Sequence, residues 1–153
     1  MNELYDTIEV NDTQFNVYVF PDDIGTPWDN SDYMPVSEWT TRAKRPSEMV
    51  IATDRSYKRY YDFQEACRIL RADSMSRKDA ADAAMFGYNR LRQWCDDQWC
   101  YVCVQVVLCD DAGDEIEGES EIVSGIESDD KNYILQTARE LAREIIARNE
   151  IFA

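Results

Sequence analysis

Alternation of hydrophobic and polar positions predicts β-strands in three parts of the chain. The strands form three hairpins, and polar residues such as Asn11-Asp12 mark the turns. The predicted strands cover residues 7–10, 15–20, 49–53, 57–61, 100–108 and 116–125. Residues 100–108 are apolar on both faces, which is typical of a central strand.

Three segments show the helical repeat of apolar residues, each after a capping signal. Asp62 and Glu65 have the spacing of a capping box, and Ser76 with Asp79 marks a second helix start. We expect Ser128 or Asp129 to cap the third helix, and Glu144 to pair with Arg148 on its exposed side. The predicted helices cover residues 62–72, 77–95 and 129–149, and the buried stripe of the last one comprises Ile134, Ala138, Leu141 and Ile145.

This order of elements predicts an α+β fold. We expect one domain over residues 1–153, with a mostly antiparallel sheet of about five to six strands and three helices packed on one face. A proline-containing loop at 21–46 interrupts the pattern. Its aromatic residues either pin it to the sheet edge or form a recognition surface, since loops of this length are often functional.

Composition places the chain among globular proteins, because 44% of its residues are hydrophobic and 12% are aromatic. No apolar run approaches the roughly 20 residues of a membrane span, and the N-terminal residues lack the pattern of a signal peptide. The five cysteines are an odd number, which favours reduced thiols. We therefore expect a cytoplasmic protein without a membrane partner.

Few features of the sequence favour catalysis. Histidine is absent, five scattered glycines form no phosphate loop, and no carboxylate pair stands out among 31 acidic residues. Cys95, Cys100 and Cys103 have the spacing of [2Fe–2S] ligands, but residues three apart in a strand face opposite ways. We therefore expect no enzymatic activity, no metal and no cofactor, with the cysteines acting as small buried hydrophobic residues.

Charge is the most informative property. The net charge is −15, and residues 1–38 and 96–130 contain acidic residues but no Lys or Arg. Ten carboxylates lie between residues 110 and 130: Asp110, Asp111, Asp114, Glu115, Glu117, Glu119, Glu121, Glu127, Asp129 and Asp130. In a regular strand, Glu115, Glu117, Glu119 and Glu121 would project from one face about 6.6 Å apart. Such a row is either a solvated surface or a docking surface for a basic partner.

The middle of the chain has the opposite charge. Residues 39–95 contain twelve basic and seven acidic residues, and residues 42–59 interleave basic side chains with tyrosines. That pattern suits contacts with phosphates and nucleic-acid bases. It equally suits neutralisation of the acidic segments within the fold.

Four segments together resemble a family of small acidic proteins from tailed phages and prophages, mostly of uncharacterised function. They read PWDNSDYMPVSEWTTRAKRP, DRSYKRYYDFQEACRI, LRQWCDDQWCYV and GIESDD, and the resemblance covers about residues 20–147. It implies a phage accessory protein that acts in the cytoplasm of the host cell.

We expect the ten carboxylates to bind a basic site on a host protein and so to inhibit a defence or nucleic-acid-handling system, with DNA mimicry as one mode of inhibition. Two alternatives stay open. One is binding of nucleic acid or a phosphorylated ligand through residues 42–59, and the other is an assembly role through the 21–46 loop. The oligomeric state is open as well.

Overall fold

The computed structural model describes residues 2–23, 25–30 and 33–151, without the side chains of residues 30 and 151. In chain order its elements are β1 (Leu4–Val10), β2 (Thr13–Pro21), a 3-10 turn (Pro27–Asn30), β3 (Glu48–Asp54), β4 (Tyr57–Asp62), α1 (Phe63–Ala72), α2 (Arg77–Cys95), β5 (Tyr101–Cys109), β6 (Glu115–Glu127) and α3 (Lys131–Ile151). The chain divides into two compact units: unit 1 is Met1–Ile24 with Trp99–Ala153, and unit 2 is Gly25–Gln98.

Unit 1 is a four-stranded antiparallel sheet in the order β1-β2-β5-β6, with α3 packed on one face. Alternate residues of the two central strands, such as Val17, Val104 and Val106, point to that face and are fully buried. The stripe predicted for α3 packs against them, and all four of its residues are buried. The opposite face of the sheet has half-buried residues along its central strands, such as Tyr18 and Gln105.

Unit 2 contains the two-stranded sheet of β3 and β4, packed with α1 and α2. Its core includes Ile51, Tyr61, Ala66, Ala84 and Leu91. The loop that precedes β3 lies along the edge of β4 through two isolated bridges, Val36 with Tyr61 and Thr40 with Lys58.

The α+β class and the antiparallel pairing are confirmed. The six strands form two sheets, of four and two strands, rather than one, and the helices are divided as well, with α3 packed on the first sheet and α1 and α2 on the second. The sequence of a strand shows which of its residues share a face but not which strand it pairs with. The pairing of β2 with β5, which are separated in sequence by the whole of unit 2, could therefore not be predicted. The prediction of a single domain stays a prediction.

The predicted helix starts are correct for α1 and α2. The Asp62 carboxylate accepts the Glu65 N–H at 3.1 Å, and the Ser76 hydroxyl accepts the Asp79 N–H at 3.1 Å. The predicted cap of α3 was wrong by one or two residues, because Asp130 accepts the Tyr133 N–H at 3.1 Å. Ser128 does not cap α3; its hydroxyl instead accepts a hydrogen bond from the Cys100 N–H at 2.9 Å.

Candidate functional site

The excess negative charge belongs entirely to unit 1. Its residues include nineteen acidic and four basic side chains, which gives −15, whereas unit 2 has twelve of each. Unit 1 therefore contains most of the two acidic segments, and unit 2 contains the basic segment with enough acids to balance it. Long-range attraction of a basic partner is therefore strongest at unit 1.

Part of this negative charge lines a groove at one end of the unit 1 sheet. The turn between β1 and β2 lies beside the turn between β5 and β6, and a groove of about 390 Å³ runs between them. Its lining, which we call the acidic groove, comprises Thr7, Ile8, Glu9, Asp12, Thr13, Gln14, Cys109, Asp110 and Asp111. Within the part of the chain that the structure describes, Glu9, Asp12 and Asp111 form no ion pair, so their charge is open to solvent or to a partner.

Both turns that form the groove are fixed by backbone geometry. Asn11 and Asp12 have φ angles of 51° and 62°, the left-handed pair that a two-residue hairpin turn requires and that Asn and Asp tolerate. In the second turn, the Asp110 carboxylate accepts the N–H groups of Ala112 at 2.9 Å and Asp114 at 3.0 Å. Gly113 supplies the positive φ of 87°. Asp110 therefore shapes the turn as well as adding charge.

The row from Glu115 to Glu121 does not lie on one face. Glu115 is opposite Cys109 in β5, and its carboxylate accepts hydrogen bonds from Asn16 at 2.8 Å and from the Tyr18 hydroxyl. These groups belong to the sheet face away from α3. They lower the pKa of Glu115, and the same contact raises the pKa of Tyr18.

Glu119 and Glu121 lie on the other face, beneath α3. Arg148 of α3 donates to Glu119 at 3.0 Å and to Glu121. The hydrogen bonds that Glu119 accepts from Arg148 and Asn149 lower its pKa. The expected pair of Glu144 with Arg148 was therefore wrong. The cause of the split is a break in register, since Val107 pairs with Ser120 but Cys109 pairs with Glu115. The extra residues in β6 include Gly118 at φ 82°.

The other predicted site residues are spread over the length of β5 and β6. Asp114 and Glu117 are exposed, and Asp114 lies in the turn that Asp110 shapes. Glu127 is half-buried opposite Tyr101 at the far end of β5, about 26 Å of strand away from Cys109. Asp129 and Asp130 follow at that end, where Asp130 caps α3. The structure therefore brings Asp110 and Asp111 together with two carboxylates that the prediction left out, Glu9 and Asp12.

Three of the six basic side chains between residues 42 and 59 have hydrogen-bond or cation–π partners within unit 2. Arg42 donates two hydrogen bonds to Glu48, at 2.7 and 2.6 Å, and Lys44 donates to the Glu48 backbone carbonyl at 3.0 Å. The Arg59 guanidinium lies 4.9 Å from the ring centroid of Trp28 and 5.0 Å from that of Trp39. The described part of the 21–46 loop is thus held against the sheet edge by its aromatic residues, as one of the two hypotheses expected.

The cysteines are all free thiols: Cys109 is buried, Cys67, Cys95 and Cys103 are half-buried, and Cys100 is exposed, so the expectation of a buried side chain was wrong for Cys100. Burial raises the pKa of Cys95, Cys103 and Cys109. Cys95 ends α2 and packs against the core of unit 2, as its place in the apolar stripe predicted. Among the described residues, no group of three or more Cys, Asp or Glu side chains has the geometry of a metal site. None of the described helices is both long and apolar enough to cross a membrane.

Comparisons of the chain with protein-family models, with curated proteins and with solved structures give no match. The resemblance to phage proteins therefore stays a prediction.

Proposed function

We propose that the protein is a non-enzymatic accessory protein of a phage or prophage, and that its acidic groove binds a basic site on a host protein. The observation that carries this proposal is the concentration of the whole net charge in unit 1, where four carboxylates line one groove. A host protein that handles nucleic acid offers such a basic site, so occupation by carboxylates would inhibit it as a DNA mimic does.

The site differs from the one expected from sequence. Glu119 and Glu121 are paired with Arg148, and Glu115 is held by Tyr18 and Asn16, so these carboxylates contribute less to a partner. Glu9, Asp12, Asp110 and Asp111 form the centre of the proposed surface. The exposed Asp114 follows in the same turn as Asp110. Direct binding of nucleic acid through residues 42–59 has less support, because Arg42, Lys44 and Arg59 have partners within unit 2.

The test compares two variants with equal loss of charge. The groove variant carries Glu9→Gln, Asp12→Asn, Asp110→Asn and Asp111→Asn, which keep side-chain size and the capacity to accept hydrogen bonds. The control variant carries Glu3→Gln, Asp23→Asn, Glu140→Gln and Glu144→Gln, all at exposed positions of unit 1. Host proteins captured from lysate by the parent at low salt are identified by mass spectrometry and purified. Their affinities for the three proteins are then measured over a range of salt.

We expect the groove variant to bind at least about tenfold more weakly than the parent at low salt, with the control variant close to the parent. Duplex DNA should compete with the protein for the partner. Equal weakening by both variants would show that total charge rather than the groove determines binding, and the site assignment would be wrong.

A further inference from the structure

Unit 2 contains a groove of opposite character, between α1 and α2. It has a volume of about 690 Å³, within the size range of ligand pockets. Its lining, which we call the arginine groove, comprises Phe63, Gln64, Cys67, Arg68, Arg71, Ala72, Arg77 and Ala81. No carboxylate is among these residues, so the lining itself carries three positive charges.

The floor of the arginine groove is apolar. Phe63 and Cys67 are half-buried and pack against the core of unit 2, which fixes their position. Ala72 and Ala81 add two small side chains that leave space above them. An apolar side chain of a ligand placed there would lose its contact with water, which favours binding.

The three guanidinium groups differ in whether they have an ion-pair partner. Arg68 forms an ion pair with Glu65, one turn before it in α1. Arg71 and Arg77 have no side-chain partner within the described residues. Arg77 is also the first residue of α2, a helix of 19 residues, and the positive end of a helix dipole disfavours a cation. An anion in the groove would offset both this cost and the mutual repulsion of the arginines.

We propose that the arginine groove is a second binding site, which takes a short acidic peptide segment of a partner protein with an apolar side chain seated on Phe63 and Cys67. Guanidinium groups bind carboxylates through paired, charge-assisted hydrogen bonds, so Arg71 and Arg77 would hold acidic side chains on either side of the apolar one. The two sites lie on different units and carry opposite charge, so this site is independent of the acidic groove.

A peptide matches the groove better than nucleic acid does. Nucleic-acid surfaces follow an extended phosphate backbone with many Lys and Arg and offer exposed aromatic rings to the bases. The arginine groove has three guanidiniums, and Phe63, its one aromatic residue, is half-buried. A chain with a net charge of −15 also repels a long polyanion more than a short peptide.

The experiment measures fluorescence anisotropy with a labelled synthetic peptide in which leucine and phenylalanine lie between glutamates. The test variant is Arg71→Gln with Arg77→Gln, and the matched control is Arg139→Gln with Arg143→Gln, two exposed arginines of α3. Circular dichroism checks folding, and loss of Arg77 at a helix start should leave the helices intact. A peptide with lysines in place of the glutamates and a single-stranded thymidine oligonucleotide of equal charge complete the set.

We expect the parent and the control variant to bind the acidic peptide with equal affinity, and the test variant to bind it at least about tenfold more weakly. The lysine peptide is attracted to unit 1 instead, so any binding of it should be the same in the parent and in the test variant. Absence of binding by the parent, or equal affinity of the two variants, would overturn the proposal. Tighter binding of the oligonucleotide than of the peptide, lost in the test variant, would overturn the peptide assignment and make the groove a phosphate site.

Discussion

At the scale of single residues, Glu48 is the charged residue that is buried among those the structure describes. Its side chain lies at the start of β3 and the residue is 6% exposed, yet it is ionised because Arg42 and the Arg45 N–H both donate to it. The hydrogen bonds from Arg42 are the main reason that its pKa falls to about 2, against the desolvation that burial imposes. Arg42 and Glu48 thus join the end of the long loop to the sheet of unit 2.

The pH dependence follows from this lowered pKa. The carboxylate binds a proton more weakly in the folded than in the unfolded state, so its contribution to stability is present above the ordinary pKa of 4.5. That contribution, up to about 3 kcal/mol, is lost as the pH falls from 4.5 towards 2. Glu48→Gln should cost about 1–3 kcal/mol at pH 7, because Arg42 loses its charged partner. It should also reduce the loss of stability in acid, measured by urea unfolding over that pH range.

Glu65→Gln is the matched control for this prediction. Glu65 also pairs with an arginine, Arg68, but both side chains are more than one third exposed, so the change should cost less than about 1 kcal/mol. Comparison of each variant with the parent at the same pH removes the general effect of the net charge. If Glu48→Gln and Glu65→Gln are alike at every pH, the pair of Arg42 with Glu48 contributes no more than a surface ion pair.

At the scale of elements, α3 is the element whose role the sequence predicted best. Its stripe repeats at helical spacing, and each predicted residue is buried against the sheet of unit 1. Leu141→Ala should therefore leave a cavity and cost about 2–5 kcal/mol in urea unfolding. Arg143→Ala, on the exposed side of the same helix, should change stability by less than about 0.5 kcal/mol. Similar values for the two variants would contradict the packing of α3.

The strand β6 shows where prediction from the sequence fails. A regular alternation of glutamates indicates one face only if the strand keeps its register over its whole length. Between the pair Val107–Ser120 and the pair Cys109–Glu115, β6 has more residues than β5. The carboxylates of β6 before and after this break in register therefore face opposite ways. Gly118 is the feature of the sequence that could have indicated this break in register, because an isolated glycine in a strand often marks a bulge.

The acidic groove could not be predicted for a related reason. Local patterns gave both hairpins and their turns, including the Asn11-Asp12 turn. The groove exists because β2 pairs with β5, which places the two turns at the same end of the sheet. That pairing joins strands separated by about 80 residues, and non-local contacts of this kind are decided by packing in the whole fold.

At the scale of the whole molecule, the uneven division of charge has consequences for folding. Unit 1 carries −15 and unit 2 carries no net charge, so self-repulsion is a cost mainly in unit 1. Salt screens exposed charges beyond about 10 Å at 0.1 M ionic strength. Added salt should therefore raise the stability of unit 1, while unit 2 alone would gain little.

The positions of the tryptophans allow a test of the predicted single domain. Trp99 belongs to unit 1, and Trp28, Trp39 and Trp94 belong to unit 2. Trp99→Phe leaves fluorescence that reports unit 2, and a variant with Phe at the other three positions reports unit 1. Each variant is compared with the parent by circular dichroism, which corrects for any change in stability caused by the substitutions themselves. If the chain folds as one domain, both signals should show one urea transition with the same midpoint as circular dichroism.

Salt then separates the two possibilities more sharply. In one cooperative domain, screening of the charge on unit 1 should move the midpoints reported by both sets of tryptophans upward together between low and about 0.5 M sodium chloride. In two independent units, only the signal from Trp99 should move. A midpoint for Trp28, Trp39 and Trp94 that stays fixed while that of Trp99 rises would contradict the single domain. It would also show that the acidic and the arginine grooves are located on parts of the chain that fold separately.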